Sequence, residues 1–592
     1  MEKKKVSFGR IFWPSLTASI VVLLIIGALI AFIIGSALGS KPVYSVKKKT
    51  VLHMTLKGEI GEMSKSDLSP STLSLINRVG LVDLLYGLER ASKDDRVEGL
   101  FLELEGAQCG YAAATEIRNA INKFEESGKF VVAYNKGEAV SLKQYYIASA
   151  ANESYGFPST MFEFLGLGTE LVFFKGMFDK LDLEMQVIRG SDNHFKSAVE
   201  PYFLTEMSDS SRMQVKRYLT GIWENVKNEI GDEKNIESET LDMYADSTLI
   251  RRISHAVKYK LIDSEKYRDE VLALIGEKLN VSNVEDINFK NFETYAQKKF
   301  KSNQSINHGK DANIAVIVAE GAVMTDGEGL SSANITKLFQ KARRDKNIKT
   351  IVFRINSPGG SALASDEIWR EVKLANEEKK VIVSMGDVAA SGGYYIAAPA
   401  DKIFAQATTI TGSIGVFGVI PYTGAMLENK LGLTFDRVST NDHAVLSTNK
   451  KLSEEEYAMI QEEVDYIYDQ FLSRVADGRG MTKEAVNIVA RGRVWTGEDA
   501  KKKGLVDEIG GLEDAISYAA EQAGIDSTDR IVRYYPKAEE KAWMEIIEAL
   551  ENDEETAKDQ GLPQEVMELY KRIRSIENLT GIQARLPYEI VD

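Results

Sequence analysis

Four short runs in the second half of the chain, ANIAVIVAEG, KTIVFRI, KKVIVSM and DKIFAQ, are apolar without alternation and rich in Val and Ile. A strand buried on both faces reads this way, whereas a strand with one wet face alternates with period two. Between the second and third runs, SALASDEIWREVKLANEE sets Leu363, Ile368, Val372 and Ala375 at helical spacing. Strands alternating with helices predict parallel pairing and an α/β fold. The first half repeats the order. VLHMTLKGEI matches IAVIVAEGAV, EGLFLELEG matches KTIVFRINS, the helix TEIRNAINKFEESG follows, and KFVVAYNKGE matches KVIVSMGDV. YYIA occurs at Tyr145–Ala148 and again at Tyr394–Ala397, a separation too long for a solenoid repeat. The pattern predicts two copies of one domain, at 51–305 and 306–536, followed by an acidic tail of helical pattern, 537–592.

One stretch breaks this pattern. No charge occurs from Ile11 to Ser40. A spanning helix needs about 20 apolar residues, a secretory signal core only about 7–15. The run predicts a transmembrane anchor over 11–38, between a tail, 1–10, and a linker, 39–50; SALGS is a weak cleavage site. Lys3, Lys4, Lys5 and Arg10 precede the span, and Lys41, Lys47, Lys48 and Lys49 follow it, so charge counting leaves the orientation tied.

Composition narrows the function classes. A chain of 592 residues exceeds one ordinary core. Apolar residues at 44% and only 11 prolines fit a globular protein. A net charge of −15 counts against a nucleic-acid partner, because phosphate binding needs a basic surface. Cys109 is the only cysteine, which excludes an intrachain disulfide and any four-cysteine metal site.

The candidate chemistry lies in GDVAASGGYYIAAPAD, which sets Ser391 between two alanines and two glycines. A serine hydroxyl needs a neighbour to take its proton. Aligned on YYIA, Ser391 falls opposite Leu142, so the first copy has no serine at that place. Two bases are open to Ser391. His443, in STNDHAVLS, is the best placed of the five histidines. The other is a lysine whose pKa is lowered by apolar surroundings. Lys196, in SDNHFKSAVEPY, has Phe195, Ala198 and Val199 around it, and the matching stretch of the second copy has no lysine there. One copy thus holds a serine without this lysine, the other the lysine without the serine. An oxyanion needs two backbone N–H donors. Gly392 follows the serine, and the turn in INSPGGS offers Gly359 or Gly360. That turn also reads as a plain strand-to-helix connection capped by Ser361.

Taken together, INSPGGSALASDEI, GDVAASGGYYIAAPAD, TGSIGVFG and DNHFKSAVEPY resemble the signal peptide peptidase A (protease IV) family of Ser/Lys serine peptidases, in its long duplicated form. The resemblance spans the whole chain. It implies two tandem Clp protease/crotonase-like domains after an N-terminal transmembrane helix, with Ser391 as nucleophile and Lys196 as general base and then acid. Ser413 would orient the lysine, and Gly359 and Gly392 would donate to the oxyanion. It implies no cofactor and no metal. Substrates would be cleaved signal peptides or other unfolded apolar segments. The implied assembly is a homotetramer, with the dyad within one chain or between chains. The implied location is the bacterial inner membrane, with the catalytic domains on the extracytoplasmic side, which breaks the tie in charges. Two other readings compete: a crotonase-like enzyme acting on acyl-CoA, and a non-catalytic membrane scaffold.

Overall fold

Runs of Val, Ile and Leu that are buried on both faces become the inner strands of two parallel sheets. The computed structural model describes residues 46–69, 74–297, 312–327, 329–527, 529–536 and 581–585. The first half contributes β1 (Thr50–Glu59), β2 (Val97–Gln108), β3 (Phe130–Asn135), β4 (Glu153–Gly156), β5 (Glu184–Arg189), β6 (Ser264–Glu265) and β7 (Asn288–Asn291). All but β5 form one sheet in the order β6-β4-β3-β2-β1-β7, with every neighbouring pair parallel. The second half contributes β8 (Ile314–Glu320), β9 (Thr350–Ser357), β10 (Gly359–Ser361), β11 (Val381–Ala390), β12 (Lys402–Ala405), β13 (Ile410–Gly412), β14 (Phe417–Tyr422), β15 (Val494–Thr496), β16 (Glu508–Ile509) and β17 (Val532–Tyr535). Here the parallel order is β16-β12-β11-β9-β8-β17, the same path strand for strand. The fold is mixed α/β.

The helices follow the pattern with one shift of phase. They include α1 (Tyr111–Glu126), α2 (Leu142–Ala148), α3 (Asp209–Lys234), α4 (Ala362–Glu378), α5 (Gly392–Ala397) and α6 (Leu512–Gln522). On α4, Ile368, Val372 and Ala375 are buried as the spacing predicts, but Leu363 is 64% exposed. The buried stripe starts at Ala364 instead, because Ser361 caps the helix through the Ala364 N–H and sets its phase. Both YYIA segments are helical. Tyr145 donates its hydroxyl to Leu261 O, and Tyr394 donates its own to Leu505 O, each at 2.8 Å. A buried hydroxyl needs a partner, so the motif marks a core anchor rather than chemistry.

Both halves branch after the third strand of the sheet: in the first, Ala139–Val140 pair in parallel with Met161–Phe162, and in the second the branch continues one long strand. Strand β11 forks: Ile382–Met385 pair with β12, and Val388–Ala390 pair with β13. β13 then pairs antiparallel with β15. Asn356 holds the fork open by accepting the Val388 N–H (3.1 Å). Ser391 follows directly.

Polar groups join the two halves, and residues 48–592 form one compact unit. Arg354 on β9 is fully buried and donates to Glu62 (2.9 Å), Glu116 (2.7 Å) and Ser384 (2.9 Å). Both carboxylates come from the first half. Glu116 also accepts the Leu512 N–H at the start of α6 (2.7 Å). Burial pushes the Glu62 carboxyl up to about 7 against the pull of Arg354, with Glu116 and Asp387 adding to the rise. Asp387, on the fork, accepts the Gly110 and Ala113 N–H groups (3.0 and 2.9 Å). Gly110 has no side chain to cap α1, so the other half supplies the cap.

The predicted tail 1–10 and anchor 11–38 lie outside the described residues. Among the described residues no helix is long and apolar enough to cross a membrane. Most of 537–592 also lies outside them. Within that segment, read as helical, Gly581–Arg585 is a strand, β18. It completes an antiparallel sheet in the order β10-β18-β14-β5, where the flanking strands offer unpaired backbone groups that a helix could not meet.

Removing one partner of a buried ion cluster strands the others. Arg354→Met leaves Glu62 and Glu116 buried without their cation. It is expected to lower the unfolding free energy by about 3–5 kcal/mol, measured by urea denaturation.

Candidate active site

The sheet shared by the two halves carries Lys196 to Ser391. Six residue pairs, Glu184–Arg189 against Phe417–Tyr422, lock β5 of the first half onto β14 of the second. The chain leaves β5 and turns through Gly190–Lys196. Asn193 fastens this turn by donating its amide to Val416 O (3.0 Å), and the Phe195 N–H donates to Arg491 O (3.0 Å). Gln214 on α3, itself buried, donates to Phe195 O (3.0 Å) and Ser197 Oγ (2.7 Å) and accepts the Val494 N–H (3.2 Å). One amide thus ties the lysine turn to β15 of the other half.

The result is direct. Lys196 Nζ stands 2.7 Å from Ser391 Oγ, within one chain. It also stands 2.9 Å from Ser413 O and 3.1 Å from Ser413 Oγ. Lys196 and Ser391 are buried, and burial alone holds the amine well below its ordinary pKa. A neutral amine has two N–H bonds and one lone pair. With both hydrogens given to Ser413, the lone pair is left for the Ser391 hydroxyl. That is the arrangement of a general base and its nucleophile.

Local backbone makes the hydroxyl available. Ser391 precedes α5 at φ 55, ψ −116, and makes no side-chain cap bond. Positive φ in a non-glycine residue is strained and survives only where neighbours impose it. Here the Ser391 N–H donates to Gly412 O (2.8 Å). Gly412 and Ser413 both have positive φ (76° and 51°), and the Ser413 N–H donates to Arg493 O (2.7 Å). One short turn therefore holds Ser391 by its first carbonyl and Lys196 by its second.

The two oxyanion candidates fare differently. Gly392 opens α5, where N–H groups have no intrahelical acceptor. Gly359 instead donates its N–H to Ser357 Oγ (3.1 Å). The next nitrogen, Gly360 N, lies 3.1 Å from where a β-carbon on Gly392 would stand. Of the predicted site residues, the structure thus brings together Ser391, Lys196, Ser413 and Gly392, with Gly359 and Gly360 both packed against Gly392. His443 is largely exposed, and its ring nitrogen Nδ1 faces Glu456 at 3.5 Å. Sequence reasoning missed Asn193, Gln214 and Gly492. A β-carbon on Gly492 would stand 2.6 Å from Lys196 Cβ, and its φ is +79. The glycine in ARGRVW is a visible mark, but nothing local says what it makes room for.

A family model for "Peptidase family S49" matches residues 123–282 and 373–526, and the first span holds Lys196, the second Ser391. The chain belongs to this family. It is 35% identical over 456 residues to Protease 4 of Salmonella typhi, covering 75% of this chain and 72% of that one. It is 32% identical over 515 residues to Protease 4 of Haemophilus influenzae, covering 83% and 82%. The chloroplastic serine protease SPPA of Arabidopsis thaliana is 33% identical over 499 residues, covering 83% and 72%. A solved ClpP1 variant of Listeria monocytogenes aligns with 34% of this chain at 18% identity and a TM-score of 0.24, too low to carry an argument. The chain is a serine peptidase of the SppA type.

Two outcomes follow from the lysine's surroundings. Gly492→Ala drives a methyl into Lys196 and should lower kcat at least about ten-fold with folding retained, checked by steady-state kinetics and circular dichroism. The depressed Lys196 pKa means that the folded state releases this proton and the unfolded state binds it. The unfolding free energy of the wild type minus that of Lys196→Met should then rise as pH climbs toward the ordinary lysine value, with a limiting slope of about 1.4 kcal/mol per unit. A flat difference would mean a charged amine.

Proposed function

We propose that the chain is an endopeptidase working through a Ser391–Lys196 dyad. The supporting observation is the 2.7 Å approach of a buried, uncompensated amine to the serine hydroxyl. Lys196 takes the Ser391 proton as Oγ attacks a peptide carbonyl. The N–H groups of Gly392 and Gly360 steady the oxyanion. Lys196 then gives its proton to the leaving amine, and water, deprotonated by the same lysine, hydrolyses the acyl-enzyme. Ser413 holds the amine in place throughout. His443, exposed beside Glu456, is poorly placed for this work. The two α/β halves act as Clp/crotonase-like repeats, one carrying the lysine and the other the serine. A crotonase-like use of the fold has no need of the Lys196 arrangement, and a scaffold would not need a neutral buried lysine at all.

The substrate reading extends this. The charge-free run 11–38 would tether the enzyme to the bacterial inner membrane, with the catalytic part outside the cytoplasm. Cleaved signal peptides and other unfolded apolar segments lie within reach of an enzyme so placed. Assembly as a homotetramer belongs to the same reading.

Full-length protein, purified in detergent, is assayed on casein and on a signal peptide. Ser391→Ala and Lys196→Ala should each lose about 10³-fold or more in kcat/KM. Near wild-type turnover by either would sink the dyad. Mixing the two variants should restore nothing, since both groups belong to one chain.

A further inference from the structure

The seam between the halves holds a cavity of about 280 Å³, and no residue lining it belongs to the turns that carry Ser391 and Lys196. One wall comes from the first half, where the helix Leu81–Ser92 supplies Leu88 and α1 supplies Lys123 and Phe124. The other wall comes from the second half, with Gln406 just past β12 and Glu513 and Asp514 in the first turn of α6. Leu88 and Phe124 are fully buried, which makes one side of the cavity apolar. The volume is near the lower end of ordinary ligand pockets, about 300 Å³.

Several polar groups around this cavity are left unspent. Gln406 is only 3% exposed, yet its side-chain amide makes no hydrogen bond among the described residues. A buried amide of this kind calls for a partner. Lys123, exposed at the mouth, pairs with no carboxylate among the described residues. Glu513 gives one carboxylate oxygen to Arg530 (2.6 Å), and Asp514 gives one to the Gly511 N–H (2.8 Å), so each keeps a second oxygen. An amide presents a donor and an acceptor side by side, the complement of a peptide group's C=O and N–H. A free cation complements a carboxylate, and free carboxylate oxygens complement an ammonium group. A hydrocarbon side chain suits Leu88 and Phe124. One class of molecule carries all four features: a short apolar peptide with both termini free.

We propose that the cavity between α1 and α6 binds a short apolar peptide through its peptide group and both its termini, bridging the two halves. The proposal goes beyond the Ser391–Lys196 reading and does not rest on it. The cavity nonetheless reaches the catalytic strand. The Gln406 N–H donates to Thr409 Oγ1 (3.1 Å), and that hydroxyl donates to Gly386 O on β11 (2.8 Å). Thr409 leads directly into β13, whose Gly412 O accepts the Ser391 N–H. A ligand held by Gln406 therefore steadies the base of the fork. Because both walls exist only in the folded seam, binding also raises Tm.

The probe is the dipeptide Leu-Leu, titrated by calorimetry against the full chain in detergent. All chains carry Ser391→Ala, so that no turnover adds heat. Saturable binding is expected, with an affinity that falls at least about ten-fold in Lys123→Ala and in Gln406→Leu. Free leucine lacks the peptide group, and N-acetylated Leu-Leu amide lacks both charges; each should bind at least about ten-fold more weakly than the dipeptide. Tm should rise with dipeptide concentration, and by less in Lys123→Ala. Lys123 is exposed, so its variant reports on binding even where Gln406→Leu disturbs the fold. An affinity unchanged by Lys123→Ala overturns the proposal, because the dipeptide then sits elsewhere, the active site included. A dipeptide that fails to saturate the chain overturns it too. A failed dyad leaves these titrations as they are, since they need no turnover, so the two readings fail separately.

Discussion

A lysine amine buried with no carboxylate beside it among the described residues, its pKa held well below the ordinary value, is the condition on which the rest of this structure depends. Desolvation lowers its pKa only if the site stays dry and free of counter-charge. The hydroxyl it serves must lie within hydrogen-bond reach, and that hydroxyl belongs to the other half of the chain. The seam between the halves must therefore hold position to fractions of an ångström. Apolar packing tolerates sliding, whereas directional polar contacts do not. The seam uses the latter: the Arg354 cluster, Asp387 capping α1, Gln214 bridging the lysine turn to β15, and β5 paired with β14. Such groups are costly to bury, and full pairing is what makes them tolerable.

The two halves share one strand order, yet only the second sets a serine against the buried lysine. The comparison at the start of the matching helices shows how. In the first half, Ser141 precedes α2 in extended conformation, and its hydroxyl accepts the Gln144 N–H (3.2 Å) as an ordinary cap. In the second, Ser391 precedes α5 at positive φ, and its hydroxyl has no cap bond to make. The first half pairs Ala139–Val140 with Met161–Phe162 in the same way, so the difference lies in the turn that follows β13. There Gly412 and Ser413 take positive φ, and Gly412 O accepts the Ser391 N–H. A strained backbone frees the hydroxyl, and this turn supplies the bond that holds the strain.

The fork in β11 places Asp387 and Ser391 a few residues apart on one strand end. Asp387 anchors the first half while Ser391 receives the lysine from it. Seam and site are thus built from one segment, so a disturbance of the packing between halves reaches the dyad without touching it. The acidic cluster beside Arg354 belongs to this seam too, and all three side chains are buried from solvent, which raises the Glu62 carboxyl.

Periodicity in the sequence was enough for the α/β class and the parallel strands, because buried strands leave local, countable marks. The complementary gaps, a serine in one copy and a lysine in the other, pointed to Ser391 and Lys196 before any distance was known. The family motifs added Ser413 and Gly392. Tertiary structure decided what no local pattern encodes. It set the pair within a single chain, and it spent the Gly359 N–H on Ser357 while leaving Gly360 beside Gly392. It gave Gln214, Asn193 and Gly492 their places around the lysine, and it made a strand of residues 581–585. Each of these depends on which distant backbone group happens to be unpaired nearby, and that is fixed by packing between segments rather than by the residues themselves.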